Sequence, residues 1–163
     1  MQKLVGLLAL VLWATVPALA QANSQFDIFG GYSYLHVPGA NTNGWEAQAT
    51  GNLNEYIGVT ADFDGHYSNG GHDYNFLFGP TLSYRTDKLT PFAHVLFGGS
   101  HAGAGGFSDT SFAWALGGGV DWNWKKRLAI RLGQFDYLPT YFGSTTQNNF
   151  RYSAGVVFRV GRD

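Results

Sequence analysis

Residues 111–124, SFAWALGGGVDWNW, alternate between two kinds of side chain. Because successive side chains of a β-strand point to opposite faces, such alternation predicts a strand with one apolar face and one small or polar face. At about 3.3 Å per residue the strand would be about 40 Å long, or about 30 Å tall when tilted near 45°, which matches the hydrocarbon thickness of a bilayer. The stretch therefore predicts a membrane-spanning strand. Its apolar face consists of Phe112, Trp114, Leu116, Gly118, Val120, Trp122 and Trp124.

Seven further stretches carry a similar alternation and would be the partners of this strand. Between them, tight polar turns are predicted at 54–55, 86–88 and 125–126, and longer loops rich in Gly, Asn and Ser at 37–44, 67–72, 102–109 and 138–146. Short turns on the periplasmic side and longer loops outside are typical of outer-membrane barrels. The pattern predicts an all-β fold, an eight-stranded antiparallel up-and-down transmembrane β-barrel. The seven stretches are residues 25–35, 45–53, 56–66, 73–85, 91–101, 127–137 and 147–160.

A few residues break the alternation. Phe29, Phe92 and Leu96 are apolar residues that do not follow the pattern of their strands, and Gln134 and Asp136 fall on the apolar side of theirs. A bulge near residue 133, or exit of the strand from the membrane, would explain the last two.

The composition fits a membrane barrel better than a soluble domain. Aromatic residues make up 17% of the sequence and charged residues only 13%, whereas a soluble domain carries about 25% charge. The formal net charge is -1. The sequence therefore does not predict the basic face that nucleic-acid binding requires. A secreted lipocalin-type barrel would hold its apolar residues inside, and its outer face would not carry Trp45 or Trp114.

The first twenty residues have the features of a secretory signal peptide. Lys3 is their only charge, an apolar run covers 4–16, and the segment ends Pro17-Ala18-Leu19-Ala20. That run is too short for a spanning helix, although a retained membrane anchor is the alternative. We expect residues 1–20 to be a cleaved signal peptide and residues 21–163 to form the barrel domain.

Three motifs carry a resemblance to a known family. FGGYSY at 29–34, DYLPT at 136–140 and RYSAGVVF at 151–158 resemble the small eight-stranded outer-membrane barrels of the OmpA/OmpX type. The resemblance implies location in the cell outer membrane, a structural or surface-interaction role, no enzymatic activity and no cofactor. Expected partners are outer-membrane lipid and lipopolysaccharide, with the barrel-assembly machinery and periplasmic chaperones during biogenesis. The protein is expected to be monomeric.

The interior of so narrow a barrel should be filled by its own side chains and leave no general pore. Buried charges persist only when they are paired, so we expect ionic clusters inside. The predicted interior charges are Glu46, Asp62, Asp64, Arg85, Asp121, Arg131, Arg151 and Arg159. The aromatic residues predicted to meet the lipid interface are Tyr32, Tyr34, Trp45, Tyr74, Tyr84, Trp114, Trp122, Trp124 and Tyr152.

One segment suggests an alternative, enzymatic function. His66-Tyr67-Ser68-Asn69 is similar to the His-x-Ser-Asn segment of outer-membrane lipid A 3-O-deacylases, which implies His66 as base and Ser68 as nucleophile. The alternative is therefore a lipid A-modifying hydrolase of the same architecture. No Glu follows Glu55 to orient the histidine, and Ser-Asn-Gly-Gly is ordinary turn chemistry, so no catalytic residues are expected.

Metal binding is the last possibility that the sequence raises. His66, His72 and His101 would hold a metal if they met at the outer rim. Because they show no ligand spacing and the chain has no cysteine, no metal site is predicted.

Overall fold

The computed structural model describes residues 25–68, 70–142 and 145–161. The expected signal peptide lies outside the described residues. Among the residues described, no helix is long and apolar enough to cross a membrane.

The described residues form a closed barrel of eight strands in which each strand pairs with its sequence neighbours. All pairings are antiparallel, and β1 closes the barrel against β8. The predicted all-β, eight-stranded, up-and-down architecture is confirmed. The strands are β1 (Gln25–Val37), β2 (Ala40–Asn52), β3 (Ile57–Ser68), β4 (Gly71–Ser83), β5 (Leu89–Ala104), β6 (Phe107–Lys125), β7 (Leu128–Phe142) and β8 (Thr145–Val160).

Alternation along the strands decides which side chains point outward. On β6, Leu116 is 50% exposed, whereas Ala113 and Ala115 are fully buried. The same division holds on β8, where Phe158 is exposed and Arg159 is buried. The large apolar residues therefore cover the outside, and most polar residues lie inside.

The end of the barrel that carries the turns after β1, β3, β5 and β7 is called here the hairpin end. The prediction of longer loops there is wrong, because β1 continues to Val37 and β2 begins at Ala40. Gly39 and Gly105 have φ values of 88° and 60°, a left-handed conformation that suits tight turns. Cross-strand pairing incorporates residues 40–44 and 102–104 of the predicted loops into strands, despite the low β-propensity of Gly and Asn.

The opposite end, called here the termini end, holds the start of β1 and the end of β8, which pair through Phe26 and Val160. It also carries the connections at 53–56, 84–88 and 126–127. These short connections overlap the predicted turns.

The bulge predicted near residue 133 is confirmed. The register between β7 and β8 shifts between Arg131 and Gln134, so one extra residue is accommodated there. Leu132 is exposed on the outside, while Arg131, Gln134 and Asp136 are all buried. The shift therefore turns two polar residues inward that strict alternation would have placed against lipid.

Apolar side chains also occupy part of the interior. Phe29 packs with Ala129 and Val157 in a buried cluster, which explains its departure from the alternating pattern. A second buried cluster draws on five strands, and it contains Leu35, Leu77, Leu96, Ala113, Ala115 and Leu138.

Candidate functional site

Arg151 lies at the centre of the interior and is surrounded by carboxylates. Its Nη2 donates to Asp62 Oδ2 at 2.6 Å and to Asp136 Oδ2 at 2.7 Å. Its Nη1 donates to Asp64, and its Nε lies 3.5 Å from Glu46 Oε2. All five side chains are fully buried. These residues, named here the central charge cluster, join β2, β3, β7 and β8 across the lumen.

A chain of hydrogen bonds connects this cluster to a second ion pair. Gln134 Nε2 donates to Glu46 Oε1 at 2.9 Å. Arg131 Nη1 donates to Gln134 Oε1 and to Gln48 Oε1, both at 2.6 Å. The Nε of Arg131 then donates to Asp121 Oδ1 at 2.8 Å. Because each donor is matched to an acceptor, these buried groups recover much of the solvation that they lose.

A third group of charges lies toward the termini end. Arg85 Nη2 donates to Asp27 Oδ2 at 2.8 Å, and Arg159 Nε lies 3.9 Å from Asp27 Oδ1. Arg159 Nη2 also donates to Thr90 Oγ1 at 3.2 Å. The arginine side chains are 13% and 1% exposed respectively.

The structure places every predicted interior charge inside the barrel, and it adds members that sequence reasoning missed. Asp136 was missed because the bulge moves its side chain from the outer face of the strand to the inner face. His94 contacts it there, with His94 Nε2 2.8 Å from Asp136 Oδ1. Gln48 shares a strand face with Glu46, which was the available signal for its inward direction. The predicted charges so placed are Glu46, Asp62, Asp64, Arg85, Asp121, Arg131, Arg151 and Arg159.

His66 is bonded to other groups than the hydrolase alternative requires. It is fully buried, with Nδ1 3.1 Å from Asp64 Oδ1 and Nε2 3.0 Å from Ser33 Oγ. Ser33 is itself fully buried and lies 3.1 Å from Ser153 Oγ. Ser68 is exposed, two residues closer to the hairpin end. His66 therefore bridges interior polar groups. The serine that it contacts, Ser33, is fully buried and is thus out of reach of a substrate.

Replacing Ser68 with alanine is expected to leave the lipid A acyl pattern of cells unchanged, because the hydrogen bond of His66 goes to Ser33. The measurement is a lipid A mass profile from cells that express the wild type, the variant or neither. Loss of an acyl chain that depends on Ser68 would show that the protein is a deacylase.

Within the described residues, one group of side chains has its ligand atoms close enough for a metal, namely Glu46, Asp62 and Asp136. Arg151 donates to two of these carboxylates, so its guanidinium already supplies the positive charge there. At the rim, the rings of His72 and His101 are 6.3 Å apart.

The aromatic residues predicted to meet lipid fall on the outer face. Toward the hairpin end, Trp45 Nε1 lies 3.4 Å from Tyr67 Oη and Trp114 Nε1 lies 3.2 Å from Tyr141 Oη, so aromatic side chains form linked pairs there. Six of the nine are exposed: Tyr32, Trp45, Tyr74, Tyr84, Trp122 and Trp124. Three are half-buried: Tyr34, Trp114 and Tyr152.

Comparison with known proteins finds similarity in structure. No protein-family model matches the sequence, and no curated protein matches it. The solved structure of neisserial surface protein A aligns with a TM-score of 0.64 at 13% identity, covering 83% of this chain and 96% of that one.

Two further solved structures show the same similarity. Ail, the attachment invasion locus protein of Yersinia pestis, in complex with the heparin analogue sucrose octasulfate, aligns with a TM-score of 0.56 at 15% identity over 83% of this chain and 99% of its own. OprH of Pseudomonas aeruginosa aligns with a TM-score of 0.58 at 16% identity over 82% and 99%. The chain thus has the fold of the small eight-stranded outer-membrane β-barrels.

Proposed function

We propose that the protein is a monomeric outer-membrane barrel of structural or surface-interaction type, exported through a cleaved signal peptide, whose lumen is closed by its own side chains. The observation that carries the proposal is the central charge cluster, in which Arg151 and its four carboxylate partners are fully buried. An ion or solute crossing the barrel would have to separate these charges. Separating a buried ion pair is costly because each partner would be left without compensation.

The space on the termini side of the cluster supports closure. The interior cavity there, between Asp27, Gln48 and Arg131, has a volume of about 20 Å³. That is room for about one water molecule. So small a cavity among the described residues supports a lumen that is closed between the charge cluster and the termini end.

The outer face supports a membrane location. Ile28, Phe76 and Leu132 are about half exposed and stand on three different strands. A soluble protein would bury such residues, whereas lipid chains solvate them. The proposed lipid partners are the acyl chains around this face, with lipopolysaccharide and phospholipid headgroups at the aromatic side chains near the two ends.

The type of surface partner is limited by the charge of the hairpin end. The described residues of this end lie within the ranges 32–45, 65–76, 99–114 and 137–150, and the sequence of these ranges contains no Lys or Arg. A polysulfated ligand such as the heparin analogue bound to Ail would find no Lys or Arg side chain there. We expect contacts through aromatic and uncharged polar side chains instead.

The purified monomer is expected to show no steady channel of porin size in planar lipid bilayers, because the central charge cluster closes the lumen. Single-channel recording at several voltages measures this, and brief small openings are the most that the structure allows. The variant Arg131→Ala should lower the free energy of unfolding clearly, whereas its conductance should stay close to that of the wild type. A stable, large conductance from the wild-type monomer would contradict the closed lumen.

A further inference from the structure

A cavity lies at the hairpin end of the barrel. It has a volume of about 450 Å³ and opens outward, a size typical of small-molecule sites. Leu35 and His66, both fully buried, line it on the inner side. Val37 and Ala102 add further apolar surface.

The polar side chains of the cavity include two carboxylates beside two histidines and several hydroxyl and amide groups. Asp73 and Asp109 line it, and the strand segments around it lack Lys and Arg. Arg151, in the interior, is already shared among four carboxylates. Asp73 and Asp109 therefore favour a cation in the cavity, and its low-dielectric walls strengthen that attraction.

Asp73 is held so that it can receive a ligand. Asn75 Nδ2 and Ser100 Oγ donate to it at 2.9 and 3.2 Å, and both bonds go to the same oxygen, Oδ1. The carboxylate is thereby fixed in orientation, and Oδ2 remains to accept from a donor in the cavity. Asp109 is fixed similarly, because its Oδ1 accepts from the backbone N–H of Thr110 at 2.8 Å.

We propose that this cavity binds a small organic cation, an ammonium group carried on a compact apolar body. The ammonium group pairs with Asp73, and the body packs against Leu35, Val37 and Ala102. A bare metal ion fits less well, since no set of three ligand atoms within 4.8 Å is found here among the described residues. The proposal goes beyond the closed-barrel role and does not depend on it, because the cavity lies outside the central charge cluster.

The test uses three water-soluble probes of nearly equal shape: cyclohexylammonium, cyclohexanol and cyclohexanecarboxylate. Each is titrated into the refolded full barrel in lipid nanodiscs, and binding is followed by backbone amide NMR shifts. For the cation we expect saturable shifts at Gly71 and Gly103, which line the cavity. The alcohol should bind at least about tenfold more weakly, and the carboxylate should not bind. A charged hydrogen bond contributes about 1.5–3 kcal/mol, which corresponds to about tenfold or more in affinity.

Matched variants separate the site from nonspecific attraction. Asp73→Asn should weaken cyclohexylammonium binding about tenfold or more while keeping the shape of the side chain. Asp87→Asn, an exposed position at the termini end, should not change it. Ala102→Leu, which fills the cavity, should weaken binding of both cation and alcohol while leaving the amide spectrum of the termini end unchanged.

Equal binding of the three probes, or unchanged affinity in Asp73→Asn, would overturn the proposal. Shifts confined to the outer aromatic face would also overturn it, since they would indicate partition into lipid. If Asp73→Asn does not fold, the comparison of cation with alcohol on the wild type and the result from Ala102→Leu decide the matter.

Discussion

The variant Arg151→Met is expected to lose about 3–5 kcal/mol of unfolding free energy, because it leaves buried carboxylates without their cation. Glu46, Asp62, Asp64 and Asp136 all contact this one guanidinium. The measurement is urea unfolding from phospholipid vesicles, followed by tryptophan fluorescence. The unboiled protein should also lose its compact band on gel electrophoresis.

Two further variants serve as controls for this result. Lys126→Met removes a cation from an exposed turn at the termini end and is expected to change the unfolding free energy by less than about 0.5 kcal/mol. Arg151→Lys keeps the charge but lacks the planar fork that contacts several carboxylates at once, so it should fall between the two. If Arg151→Met is as stable as Lys126→Met, the central charge cluster does not hold the barrel together.

Leu116→Arg is expected to destabilise the folded barrel in vesicles by about 2–4 kcal/mol, which is the cost of an arginine on the lipid face near the bilayer midplane. Leu116 is 50% exposed and lies at the middle of β6. The measurement is the folded fraction as a function of urea concentration in vesicles of defined lipid composition.

The matched control is Leu53→Arg. Leu53 is 40% exposed but lies in the connection between β2 and β3 at the termini end. Near the interface the same substitution costs about 0–1 kcal/mol. Equal losses in both variants would mean that the outer face of β6 does not lie in hydrocarbon at its midpoint.

The fold was predictable because alternation along each strand directly reflects the solvent on its two faces. Trp122 and Trp124 on one side of β6, with Asp121 and Asn123 on the other, indicate an apolar exterior and a polar interior without knowledge of any pairing. The bulge in β7 was also detectable, since Gln134 and Asp136 break the parity of a strand that otherwise keeps it.

The turns and the interior partners were less predictable, for two physical reasons. Gly, Asn and Ser have low intrinsic β-propensity, so residues 37–44 have the composition of a loop, yet pairing with a neighbouring strand outweighs that preference. The partners of Arg151 come from β2, β3 and β7 and meet only when the barrel closes. Leu77 is apolar, but it shares a strand face with Asn75 and Thr81, which was the available signal for its inward direction.

The absence of Lys and Arg from the hairpin end affects how the orientation of the protein can be mapped. Trypsin cleaves after these two residues, so it has no cleavage site in the segments that form this end, whichever side of the membrane they face. Trypsin treatment of intact cells can therefore report only on the termini end, whose connections at 84–88 and 126–127 contain Lys88, Lys126 and Arg127.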